Sequence, residues 1–181
     1  MDCAGLSVET TAGPADRLTL LLQSTGEGIF GIDLDGLCVF INRAGATALG
    51  FEPAEVLGRN MHELIHHTHA DGRHYPECDC PIFNAFRRGL PCRIDDEVLW
   101  RADGSRFPAE YSSHPVIEDG VVRGAVATFV DITERKRAEE ALRASEEQYR
   151  SLLDNLNAGV VVHAPDTSIV LSNPRASILL G

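Results

Sequence analysis

The chain repeats part of itself. Leu21–Gly50 aligns without gaps on Leu152–Gly181 at an offset of 131 residues, with identities at Leu21/Leu152, Leu22/Leu153, Gly28/Gly159, Asp35/Asp166, Val39/Val170, Asn42/Asn173, Leu49/Leu180 and Gly50/Gly181. Each copy runs from a leucine-bearing helix end through a Gly, a short apolar strand, an Asp-containing turn and a second strand to an Asn and a small-residue helix. Self-similarity of this kind marks one supersecondary unit used twice. A chain of 181 residues has room for one ordinary domain and part of another. The second copy reaches Gly181 where the first is only beginning its helices, so the expectation is a fragment of a longer protein.

The first copy can be followed to its end. Pro14–Thr25 carries Leu18, Leu21 and Leu22 at helical spacing. Gly28–Asp33 and Leu37–Asn42 read as strands joined by an Asp35-Gly36 hairpin turn. Ala44–Leu49, Pro53–Leu57 and Asn60–Ile65 read as short helices; a polar, His-rich loop and a helix over Ile82–Arg88 follow. Three longer strands, Arg93–Arg101, Arg106–Pro115 and Val121–Val130, are separated by Asp-Gly turns. The second alternates Phe107, Ala109 and Tyr111 with Pro108, Glu110 and Ser112, the pattern of one buried face. This order predicts an α+β fold, a five-stranded antiparallel sheet with short helices on one face. A long linker helix and a partial second domain come after it. The expected boundaries are a flexible leader over 1–14, a complete domain over 15–133, a linker helix over 134–156 and a truncated second domain over 146–181.

Charge narrows the function. A formal net charge of −11 disfavours nucleic acid or an anionic membrane as the main partner. No apolar run approaches the ~18 residues of a membrane span. The N-terminus lacks a secretory pattern, and the five Cys have no disulfide-framework spacing, so a reducing cytoplasm is the expected compartment. A Walker loop, a nucleophile elbow and kinase motifs are absent, and no enzyme activity is expected of this chain.

The strand order, with the phrases Gly58-Arg59-Asn60, Trp100-Arg101-Ala102-Asp103-Gly104-Ser105 and Asp131-Ile132-Thr133-Glu134-Arg135, resembles a PAS domain of a bacterial sensor histidine kinase. The resemblance covers about residues 15–134, and 146–181 again as a truncated copy. It implies a module that binds a small molecule or cofactor, dimerises, and signals to a downstream transmitter. Independently, Ala138, Leu142, Ser145, Tyr149, Leu152 and Leu156 fall at alternating spacings of four and three, a short a/d seam. That seam predicts a parallel homodimer.

Three kinds of chemistry are open. Gly58–Ile65 is similar to the flavin-binding stretch of light-sensing LOV domains. Met61 stands there in place of the photoreactive Cys, and Phe129 in place of a flavin-contacting Gln, so the resemblance implies no flavin photochemistry. His62, His66 and Phe129 are the candidate cofactor contacts, and haem through His62, His66 or His67 is the second candidate. The leading candidate is a transition metal, zinc or iron. Five of the seven His crowd into residues 62–74, with Cys78 and Cys80 just beyond, and imidazole and thiolate are the ligands of such ions. The expected ligands are His67, His69, Cys78 and Cys80; the alternative is a hydrogen-bonded polar loop. Cys80 also precedes Pro81 at an expected helix start, where the positive helix end would lower its pKa and make it a redox thiol. The resulting expectation is a sensory input module responding to a small ligand, metal or redox cue. The alternative is a protein-interaction and dimerisation module with no bound small molecule.

Overall fold

Asn42 shows how the fold is tied together. Its Oδ1 accepts from the backbone N–H groups of Ile29 and Gly45, both at 2.8 Å, and its Nδ2 donates to Leu22 O at 3.0 Å and Glu27 O at 2.8 Å. One buried amide therefore joins the end of the first helix, the first strand and the start of the next helix. The computed structural model describes residues 13–156 and 158–180. The leader expected over 1–14 lies, apart from its last two residues, outside them. The chain divides into two compact units, Met1–Thr133 and Glu134–Gly181.

In the first unit, α1 (Pro14–Gln23) leads into β1 (Gly28–Ile32) and β2 (Cys38–Ile41). Short helices α2 (Arg43–Leu49), α3 (Pro53–Val56) and α4 (Met61–Ile65) follow, then a 3-10 turn at Glu77–Asp79 and α5 (Pro81–Arg88). β3 (Cys92–Trp100), β4 (Arg106–Glu118) and β5 (Val121–Asp131) complete it. All pairings are antiparallel, in the order β2-β1-β5-β4-β3. The β4–β5 turn has Asp119 at φ 52° and Gly120 at φ 77°, the two positive φ values a type I′ hairpin requires.

The inner sheet face carries Phe30, Ile32, Leu99, Phe107, Tyr111 and Phe129, packed under Leu49, Val56, Met61, Ile65, Phe83 and Phe86. Burying an aromatic or aliphatic side chain of this size contributes about 1.5–3 kcal/mol. Phe129 pairs in register with Gly28 on one side and Tyr111 on the other. A Cβ at residue 28 would collide with the Phe129 ring, so Gly28 leaves the space that Phe129 fills.

One irregularity decides what faces the core. Ile94 pairs with Tyr111, but Glu97, three residues on, pairs with Ala109, two residues back. This one-residue bulge changes the inward parity of β3, so Cys92 and Ile94 face in before it and Glu97 and Leu99 after it.

The second unit contains most of α6 (Thr133–Asn155), then β6 (Val161–His163) paired antiparallel with β7 (Ile169–Ser172), and α7 (Pro174–Leu180). α6 buries none of its residues. Asn173 repeats the hydrogen bonding of Asn42: Oδ1 accepts from Val160 N and Ala176 N, and Nδ2 donates to Leu153 O and Ala158 O. Each of these partners lies 131 residues from its counterpart around Asn42.

Candidate functional site

α4, the turn before α5, and β3 converge on one buried polar group. Asn60 caps α4, its Oδ1 accepting from His62 N at 2.9 Å and Glu63 N at 3.2 Å, which satisfies orphan amides of the first turn. One helical turn on, His66 ends the helix, so the two imidazoles at i and i+4 share its inward face. Pro81 begins α5 and makes Cys80 its N-cap. Cys80 and His66 are fully buried and His62 nearly so.

The contacts are short. His66 Nδ1 lies 3.2 Å from Cys80 Sγ, and His66 Nε2 lies 3.0 Å from Glu97 Oε2, a close contact without hydrogen-bond alignment. Glu97 also accepts from Tyr75 Oη at 2.7 Å and from Tyr111 Oη. Burial alone would raise the Glu97 pKa; the contacts from His66, Tyr111 and Tyr75 outweigh it and hold the carboxyl at about 2. The site therefore contains a fixed negative charge. Burial and hydrogen bonding to Glu97 push both tyrosine pKa values up, so they remain donors.

His62 sets its own tautomer. Its Nε2 is 2.8 Å from Tyr75 O; a carbonyl only accepts, so Nε2 carries the proton and Nδ1 a lone pair. That Nδ1 is buried with no hydrogen-bond partner among the described residues, and leaving such an atom unsatisfied costs about 1–3 kcal/mol. Burial, ahead of the neighbouring carbonyl and charges, lowers the His62 pKa and keeps the ring neutral. One ligand atom each from His62, His66 and Cys80 lies within 4.8 Å of the others. A cavity of about 230 Å³ between residues 66–75 and the β3 bulge reaches His66, Tyr75 and Glu97.

A model of the PAS domain family matches residues 26–134, more than half of the chain. The chain belongs to the PAS domain family. Solved structures share its fold. The PAS domain of an HTR-like protein from Haloarcula marismortui is 22% identical with a TM-score of 0.51, over 65% of this chain and 91% of that one. The PAS domain of a protein from Colwellia psychrerythraea is 18% identical at 0.55, over 67% and 99%. An RNA-binding light-oxygen-voltage receptor is 26% identical at 0.58, over 81% of this chain but 41% of that one.

Within this PAS domain the residues singled out from the sequence have separate fates. The expected set of His67, His69, Cys78 and Cys80 does not converge; only Cys80 enters the buried group. The reason is that residues 67–75 form a small hairpin, with Thr68 bridged to His74 and Tyr75 N donating to His67 O at 2.8 Å. Trp100 Nε1 pins it by donating to Thr68 O at 2.7 Å. Two histidines are taken up by aromatic stacking, His67 on Trp100 at 5.4 Å and His69 on Tyr75 at 3.9 Å. Cys78 is exposed. Phe129, expected at a cofactor, is a core residue between Phe30 and Phe107.

The expected pKa of Cys80 is also corrected. Burial pushes the thiol up to about 12, and the backbone N–H groups of Phe83 and Ile82 only partly offset it. Desolvation wins over the helix end. Glu97, Tyr75 and Tyr111 were missed from the sequence. The available signal was the spacing of Ile94 and Leu99: five residues apart, they can share an inward face only across an inserted residue.

Proposed function

We propose that the chain is the sensory input region of a cytoplasmic signal-transduction protein, of the sensor histidine kinase type. In this reading the group around His66 receives the cue, and α6 carries it to the downstream transmitter. PAS domains are sensory modules and the chain has no catalytic motif, which supports an input role. The observation that carries the reading is the Cys80–His66–Glu97 chain of contacts, with separations of 3.2 and 3.0 Å, its first two members buried and the carboxylate half-buried. Groups this polar are rarely gathered in a small core unless they act.

A route outward exists in the first unit. Glu97 faces Ala109 across β3–β4, and Ala109 faces Asp131 across β4–β5. Asp131 Oδ1 then accepts from Thr133 N at 2.8 Å, where α6 begins. Leu142, Tyr149 and Leu152 are exposed along α6, which supports a parallel homodimer through that helix. The hydrogen bonds repeated by Asn173 support reading residues 146–181 as the start of a second PAS domain. The cavity is below the ~300 Å³ typical of small-molecule pockets, which favours an ion or a ligand of few atoms over haem or flavin.

The test joins the chain, through α6 in heptad phase, to a histidine-kinase transmitter and measures autophosphorylation. His66→Ala and Glu97→Gln should each change the rate severalfold. The apolar row on α6 alone would also suit a dimerisation module that receives no ligand; that reading predicts the same rate in wild type and both variants.

A further inference from the structure

We infer that His62, His66 and Cys80 bind one divalent transition-metal ion of the zinc class, with Glu97 as the carboxylate that positions His66 and balances the charge. This rests on the proposed sensory role and names its ligand.

Two geometric observations carry it, and the charge balances. The first is distance. Zinc bond lengths of ~2.0–2.3 Å put tetrahedral ligand atoms about 3.3–3.6 Å apart. Here Cys80 Sγ and His66 Nδ1 are 3.2 Å apart, and one ligand atom from each of the three residues lies within 4.8 Å of the others. Side-chain adjustments of about an ångström therefore suffice.

The second is the state of the imidazoles. A metal-bound His donates its other ring N–H to a carbonyl or carboxylate, which fixes its tautomer and orientation. His62 has its Nε2 on Tyr75 O and a buried, unpartnered Nδ1. His66 has its Nε2 against Glu97 and its Nδ1 against the thiol. His62 thus has a hydrogen-bonded carbonyl on one side, and His66 has a carboxylate oxygen at 3.0 Å on one side.

The charge balances as well. Metal binding releases the thiol proton: Cys80–SH and M²⁺ give Cys80–S⁻ bound to M²⁺, and H⁺. Two neutral imidazoles add nothing, the thiolate contributes one negative charge, and the Glu97 carboxylate contributes the second. A divalent ion leaves the buried site neutral, as a low-dielectric interior requires. Three protein ligands are the number that leaves one position for an exchangeable donor, and the adjoining cavity reaches His66 and Glu97.

The test titrates the chelator-treated full chain with Co²⁺ and Zn²⁺, with metal analysis and absorbance as readouts. One equivalent should bind, and Co²⁺ should give a thiolate-to-cobalt charge-transfer band. Cys80→Ser should abolish the band, and His62→Ala should weaken binding. Glu97→Gln, which keeps all three ligands, should keep the band while lowering affinity about 10–100-fold. Cys78→Ser and His69→Ala should retain both band and affinity. No binding by folded wild type, or a band lost in Cys78→Ser and kept in Cys80→Ser, overturns the assignment. Failure to bind metal beside a transmitter rate that still responds to His66→Ala rejects the metal and keeps the sensory role. Stoichiometric binding beside an unresponsive rate does the reverse.

Discussion

At the residue scale, the two asparagines and Glu97 show what a sequence reveals and what it conceals. Asn42 and Asn173 stand out as an identity within the repeat, and the structure gives that identity a cause: each amide satisfies backbone groups from three consecutive segments. Asn42→Ala leaves the buried Ile29 N and Gly45 N without their side-chain acceptor, so it should destabilise the first unit by about 2–4 kcal/mol, read as a lower urea midpoint. Gly28→Ala should cost about 1–3 kcal/mol in the same assay, because the new methyl competes with the Phe129 ring. Glu97 was hidden, because a strand read by simple alternation puts Asp96 or Glu97 inside with equal ease, and only the bulge chooses. For Cys80 the helix end was legible and the burial was not, and burial sets its protonation.

At the scale of elements, the short helices and strands followed from local signals, such as Pro81 at a helix start and the Asp-Gly turns. The His-rich segment did not. Its hairpin is held by Trp100, more than twenty residues away, and nothing in the local spacing announces that contact. The exit from β5 is the element most open to test. Asp131 accepts from Thr133 N and Thr133 Oγ1, and from Arg101 at 2.6 Å. Burial opposes ionisation, but these contacts outweigh it and lower the Asp131 pKa below its ordinary 3.8. A depressed carboxylate contributes stability above its unfolded pKa and loses it as pH falls through the lowered value. The Thr133 amide signal should therefore titrate below pH 3.8, with fraying of the first turn of α6. Asp131→Asn should abolish that titration; an unshifted midpoint would remove Asp131 from the helix start.

At the scale of the whole molecule, the fold class was legible because the period-2 runs and turn residues number the strands. The order β2-β1-β5-β4-β3 depends on β1 meeting β5 across nearly a hundred residues, a pairing no local pattern encodes. In the proposed homodimer, assembly rests on α6, along which Leu142, Tyr149 and Leu152 are exposed. Leu142→Glu with Leu152→Glu should dissociate this proposed homodimer in sedimentation velocity, since charges at seam positions are buried without partners; an unchanged sedimentation coefficient would remove α6 from the interface. In the proposed function, the state of the His66 group is felt where the sheet hands over to α6. Hydrogen exchange on the full chain, wild type against His66→Ala, tests it most directly. Amides from Asp131 to Arg137 should change protection by at least about threefold, although they lie on a different element from the substitution. A change confined to residues 60–83 and neighbouring β3, with Asp131–Arg137 exchanging as in wild type, would contradict it.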